Sequence, residues 1–245
     1  MSGFETIIYE KADGIAYITL NRPKALNAVC LKMRDELYAI LPAVKDDPDV
    51  LVAIIKGAGD RAFSAGADIT EFGTTPSQTV ARSVRWERDL WGMFLSVQKP
   101  MIAAIQGFAL GAGIEMAMCC DIRIASDDAQ FGLPEANLGM IPTAGGSQTM
   151  PRLVRLGWVM EIVLTAERIS AAEALRIGLV NQIVPRPQIL PAEAMARRIM
   201  AHDQTAIRYA KKAITRGLDL PLGAALAMEQ RLAQALATQR RRKNE

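Results

Sequence analysis

Three short runs of almost unbroken apolar residues constrain this chain more than anything else in it. They are VLVAIIKG at 50–57, MIAAIQG at 101–107 and IRIAS at 122–126. None alternates as a strand with one wet face would, and none is long enough for a typical buried helix. Runs of this kind read as strands covered on both faces. Helical stretches are predicted around them, at 29–45, 77–98 and 111–120. The first has Leu31, Met33, Leu37, Ile40, Leu41 and Val44 on one side. Strands alternating with helices in this way build an α/β protein around a largely parallel sheet. Upstream, TIIYEKADGIAYITLNRP holds two β-rich runs about Asp13-Gly14, a hairpin signal, with Pro23 stopping the second. From about residue 144 the sequence reads as almost wholly helical, with stops at Gly157, Gly178, Pro185, Pro187 and Gly217.

Composition narrows the chemistry. The 245 residues suffice for a sizeable core, and a net charge of only +3 does not suggest an extensive nucleic-acid footprint. The basic run RRRK at 240–243 reads as a solvated terminus. Three cysteines, Cys30, Cys119 and Cys120, show no metal-ligand spacing and do not make a disulfide framework. The start, MSGFETIIYEKADG, does not read as a signal peptide, and no apolar run reaches membrane-spanning length. The expectation is a soluble protein of a reducing cytosol. There is one histidine, His202. A Ser-His-Asp triad, a histidine base or a histidine-ligated zinc would all have to use it, and it sits in what reads as a helix end. Chemistry here must run mainly on carboxylates and backbone.

Two loops follow strands and open into helices: FSAGADI at 63–69 and LGAGIE at 110–115. Small residues let a ligand approach the backbone, and free N–H groups at a helix start favour developing negative charge. Two such groups facing each other would form an oxyanion hole; tight strand–helix packing without a ligand is the other reading. Glu115 interrupts an otherwise apolar stretch, FALGAGIEMAMCCD at 108–121, so it either reaches water or serves a site. Glu135 follows Pro134 in FGLPEANLGMIPTAGG at 131–146, which is also a plain helix-start signal.

Together with IAYITLNRPKALNAV at 15–29 and LTAERISAAEALRIGLVNQIV at 164–184, these segments resemble the enoyl-CoA hydratase/isomerase (crotonase) family. The ordered series covers about residues 5–230. The resemblance implies a crotonase-like spiral of ββα turns over 1–190. A helical trimerisation region over 191–245 would follow, shorter than usual for the family. It implies a homotrimer, commonly paired into a hexamer, an acyl-CoA substrate whose coenzyme A is part of that substrate, and neither a metal nor a separate cofactor. Matched by motif, the N–H groups of Ala67 and Ala112 would hold the thioester oxygen, and Glu115 and Glu135 would be the two glutamates of the hydratases. Lys24, Ala25, Leu26, Ala65, Asp68 and Ile69 would border the coenzyme A path, with Gly111, Pro134 and Gly139 beside the substrate.

Adding water across an α,β-unsaturated thioester needs one carboxylate to take a proton from water and another to protonate Cα. Glu115 is assigned mainly the first task and Glu135 mainly the second. Carboxylates close together would titrate as a coupled pair. Ala112 stands where the family loop often has glycine, so its φ is expected to be negative. Two other readings remain: a double-bond isomerase, which can work without the Glu115 equivalent, and a non-catalytic RNA-binding relative. In SVRWERDLWGMFLSVQ at 83–98, Trp86, Trp91, Met93 and Phe94 could line an acyl pocket or serve as core or trimer contacts.

Overall fold

The computed structural model describes residues 3–73, 77 and 87–244. Its centre is a six-stranded sheet in the order β1-β2-β3-β5-β7-β10. These strands are Ile7–Ala12, Ile15–Leu20, Val52–Gly57, Met101–Ile105, Ile122–Ser126 and Gln182–Val184. The β1–β2 pair is the expected hairpin, antiparallel from Ile7 opposite Leu20 to Ala12 opposite Ile15. Asp13 and Gly14 both take positive φ at its turn. Every other pairing in this sheet is parallel.

The apolar runs are buried on both faces, as their lack of alternation requires. Ala53 and Ile55 of β3, with Met101, Ala103 and Ile105 of β5, enter the main core. Val52, Ile54, Ile102 and Ala104 point the other way into a second cluster, closed by Ala192 and Ala196 of helix α7 (Ile189–Met200). Helix α1 (Leu31–Asp46) covers the first face with Met33, Leu37, Leu41 and Val44, all fully buried. Each such side chain contributes about 1.5–3 kcal/mol by leaving water.

The second strand of each turn in the expected ββα spiral builds a second sheet, which no residue pattern marked by itself. Strands β4 (Ala62–Ser64), β6 (Phe108–Leu110), β8 (Gln130–Gly132) and β9 (Ile169–Ser170) form a four-stranded sheet in that order. The pairs β3/β4, β5/β6 and β7/β8 each give one strand to each sheet, so the chain winds as a spiral of stacked turns. The strands of the second sheet are two or three residues long, too short for any periodicity to announce them. Gln106 ties adjacent turns: its Nε2 donates to the carbonyls of Gly57 (2.9 Å) and Gly59 (3.0 Å). Buried Asn27 does the same for Ala58 and Ala62, both at 2.9 Å. Inter-strand carbonyls that no ladder reaches are thereby satisfied.

The remaining helices are α2 (Leu90–Ser96), α3 (Ala112–Met118), α4 (Gly146–Leu153), α5 (Leu156–Thr165), α6 (Ala171–Arg176), α8 (Gln204–Gly217) and α9 (Leu222–Asn244). Of the helix expected over 77–98, α2 is the described part; most of the rest, with Trp86, lies outside the described residues. Gly157 is not a stop. It sits in the first turn of α5, where Val159 and Ile162 bury the helix against the core and outweigh glycine's cost of about 1 kcal/mol. The C-terminal part is less uniformly helical than its sequence suggests, because β9 and β10 each join a sheet edge there. His202 lies just past the end of α7, as expected of a helix-end residue. Among the described residues, no helix is long and apolar enough to cross a membrane.

Candidate active site

The two glycine loops meet. Gly66 and Gly111 have φ of +104° and +49°, which turn the chain sharply after β4 and β6. A Cβ built on Gly66 would lie 2.9 Å from the Leu110 carbonyl oxygen and 3.7 Å from the Ala112 nitrogen. On Gly113 it would lie 2.3 Å from the carbonyl oxygen of Ser64, so α3 packs directly on the end of β4. Ala112 is the first residue of α3 and is not among the positive-φ residues, as its side chain requires. Its N–H is one of the donors a helix start leaves over. The bridge of Val29 to Ala67 uses the N–H groups of Val29 and Asp68, at 2.8 and 3.1 Å from their acceptors, and leaves that of Ala67. Among the described residues, neither Ala67 N–H nor Ala112 N–H meets an acceptor.

Both N–H groups belong to residues that line a cleft of about 490 Å³. Ala65, Asp68, Ile69, Gly111, Glu115, Pro134 and Glu135 line it too. Lys24, Ala25, Leu26 and Gly139 are not in its wall. The first three form a turn tied to the cleft loop where Ala65 N–H donates to Leu26 O at 3.0 Å. Gly139, with φ +66°, ends the 3-10 turn Pro134–Leu138 that carries Glu135. Asp68 is spoken for: it accepts from Thr70 N–H and Oγ1 and pairs with Arg22 at 2.8 Å. Those contacts, Thr70 first and then Arg22, hold its carboxyl below the usual range. Of the possible pocket aromatics, Trp91 lines the cleft while Phe94 is fully buried in the core.

The glutamates have different surroundings. Glu115 is 2% exposed, and its Oε1 accepts from Ala144 N–H at 3.0 Å and Gly146 N–H at 2.7 Å. Gly146 is the first residue of α4, so Glu115 satisfies a helix start and sits at the positive end of its dipole. Burial of this carboxylate therefore has a structural explanation through one oxygen. Glu135 lies against Gly111, where a Cβ would stand 2.7 Å from Oε1. Its Oε2 is buried without a hydrogen-bond partner among the described residues. Burial pushes its carboxyl above the ordinary range.

Sequence reasoning missed the donors Ala144 and Gly146, although the small-residue run TAGG was the available signal. It also missed Arg22, which anchors the 65–69 loop, and the charged wall residues Arg34 and Glu71. The cysteines are free and buried, and burial pushes the Cys119 thiol up to about 12. Burial likewise pushes the Cys120 thiol up, so neither of these two neighbours is set up as a thiolate nucleophile.

This arrangement can be set beside known proteins. The family model described as Enoyl-CoA hydratase/isomerase matches residues 10–245. A crotonyl-CoA hydratase of Syntrophomonas wolfei is 41% identical over 227 residues, 92% of this chain and 87% of that protein. A short-chain-enoyl-CoA hydratase of Clostridium acetobutylicum is 41% identical over 224 residues, 91% of this chain and 86% of the other. The crystal structure of an enoyl-CoA hydratase from Bacillus anthracis superposes with a TM-score of 0.91 at 36% identity, covering 96% of this chain and 92% of that one. With a family model spanning nearly the whole chain and relatives of this identity and coverage, the protein belongs to the enoyl-CoA hydratase/isomerase family.

Proposed function

We propose that the protein adds water across the 2,3 double bond of an enoyl-CoA thioester, giving a 3-hydroxyacyl-CoA. The observation that carries this reading is the buried Oε2 of Glu135, without a hydrogen-bond partner among the described residues, in the same cleft as Glu115. The thioester oxygen accepts from Ala67 N–H and Ala112 N–H. Glu115 takes a proton from water, whose oxygen bonds to Cβ while the π electrons move to the enolate oxygen. The two N–H groups stabilise that charge, each worth on the order of 10²–10³ in rate. Glu135, whose proton burial helps to hold, then gives that proton to Cα. One proton must pass from Glu115 to Glu135, directly or through solvent, before the next cycle. An isomerase needs one carboxylate to shuttle a proton, so the second glutamate favours hydration. Loss of the conjugated thioester absorbance across a panel of enoyl-CoAs, with 3-hydroxyacyl-CoA identified as product, tests it. Absence of hydration with every member would overturn it.

The same reading carries an assembly. Helix α8 buries no residue, and α9 packs chiefly on α8. Ile214, Leu218, Leu222 and Leu226 are each more than half exposed on this pair. Apolar surface of that extent marks an interface. Copies of this chain closing as a trimer are its proposed occupants.

A further inference from the structure

The cleft has a direction that its hydrogen bonds make explicit. Two chain segments run side by side, 26–31 and 65–71. Ala65 N–H donates to Leu26 O at 3.0 Å, Val29 N–H to Gly66 O at 2.8 Å, and Asp68 N–H to Val29 O at 3.1 Å. The series ends where Leu31 N–H donates to Glu71 Oε2 at 2.8 Å. The Lys24–Leu26 turn lies at one end, Ala67 lies in the middle, and Leu31 with Glu71 lies at the other. With the thioester oxygen at Ala67, as the proposed function has it, and coenzyme A along the Lys24–Leu26 turn, as the family resemblance implies, the acyl chain runs on toward Leu31 and Glu71.

That end is not an apolar tunnel. Leu31, Phe72 and Trp91 line it, but so do Arg34, one turn along α1, and Glu71. Both charged side chains are half-buried. We propose that Arg34, together with Glu71, is a charged stop at the acyl end of the cleft that restricts the enzyme to short acyl chains. A longer chain would press methylenes onto the guanidinium and carboxylate, and methylenes offer charged groups no hydrogen bond. A short chain ends among Leu31, Phe72 and Trp91 and does not reach either group. The stop acts on chain length alone and takes no part in moving protons.

The inference rests on the hydratase reading for its orientation, and two measurements separate the two. The first is kcat/KM for crotonyl-CoA and trans-2-decenoyl-CoA with wild type, Arg34→Met and Arg34→Lys. Wild type should favour crotonyl-CoA. Arg34→Met, which keeps length and loses charge, should raise the decenoyl-to-crotonyl ratio by ~10-fold or more, within the range that a methylene-sized change in a pocket commands. Arg34→Lys, which keeps the charge, should leave the ratio close to wild type. A wild type that prefers decenoyl-CoA, or an Arg34→Met ratio equal to wild type, overturns the stop. The second is calorimetric affinity for saturated butanoyl-CoA and decanoyl-CoA, which requires no reaction. Discrimination against decanoyl-CoA that Arg34→Met relaxes supports the stop even if hydration itself is absent; equal affinities overturn it even if hydration is brisk.

Discussion

Gly146 N–H donates to Glu115 Oε1 at 2.7 Å, joining the first residue of α4 to a carboxylate buried on α3. The contact leaves no room for a side chain. A Cβ on Gly146 would lie 2.8 Å from that oxygen and 3.1 Å from the Cβ of Pro142. Gly146→Ala must therefore displace the Glu115 carboxylate from its pair of donors. The expected result is a fall in kcat of ~10–100-fold, with a smaller change in KM, because misplacing a reacting group by about 1 Å costs that much. Steady-state kinetics on crotonyl-CoA, with circular dichroism to confirm the fold, checks it.

Glu135 makes stability depend on pH. Burial raises its folded-state value above the ordinary 4.5. Between those two values the folded chain holds a proton that the unfolded chain has released. Stability from this group therefore falls as pH rises through that window and is level on either side. Glu135→Gln cannot titrate. Its stability relative to wild type should increase as pH rises from 4.5 through the raised value, as read by urea unfolding at a series of pH values. Turnover by wild type should fall as pH rises through the raised value if, as proposed, the acid form supplies the proton to Cα.

Ala112 permits a test of the backbone donor that side-chain replacement cannot give. It is the first residue of α3, where a helix tolerates proline because that N–H has no intrahelical partner. Ala112→Pro should fold and bind coenzyme A yet lose ~10²–10³ in kcat by losing one oxyanion donor. Turnover within a few-fold of wild type would remove Ala112 from the site.

For the assembly, sedimentation velocity at micromolar concentration should give a trimer or a multiple of it. Leu222→Glu with Leu226→Glu, both on the exposed face of α9, should shift it to monomer.

The central strands β3, β5 and β7 were legible in the sequence because they are buried on both faces and so keep apolar runs, as in VLVAIIKG, whereas β10, three residues at the sheet edge, was not. Nor was the partner sheet, since Ala62–Ser64 and Gln130–Gly132 are too short to show a period and are held by pairing with neighbours distant in sequence. Gly157 misled because glycine's local cost was weighed without the tertiary burial of Val159 and Ile162. At the site, Glu115 stood out as a charge inside an apolar run, and the structure supplies its partners. Those partners, Ala144 and Gly146, are backbone groups, and no residue-type pattern names a backbone donor. Arg34 looked like one polar position on an amphipathic helix, and only the fold places it at the cleft.

The central claim is that two glutamates in one cleft divide the work of adding water. Hydration of crotonyl-CoA by Glu115→Gln and Glu135→Gln, measured alongside acyl-CoA affinity, tests it most directly. Each replacement keeps the size of the side chain and removes its proton chemistry. Both variants should bind acyl-CoA about as wild type does and hydrate at least ~100-fold more slowly. Near-normal hydration by either variant would contradict the account.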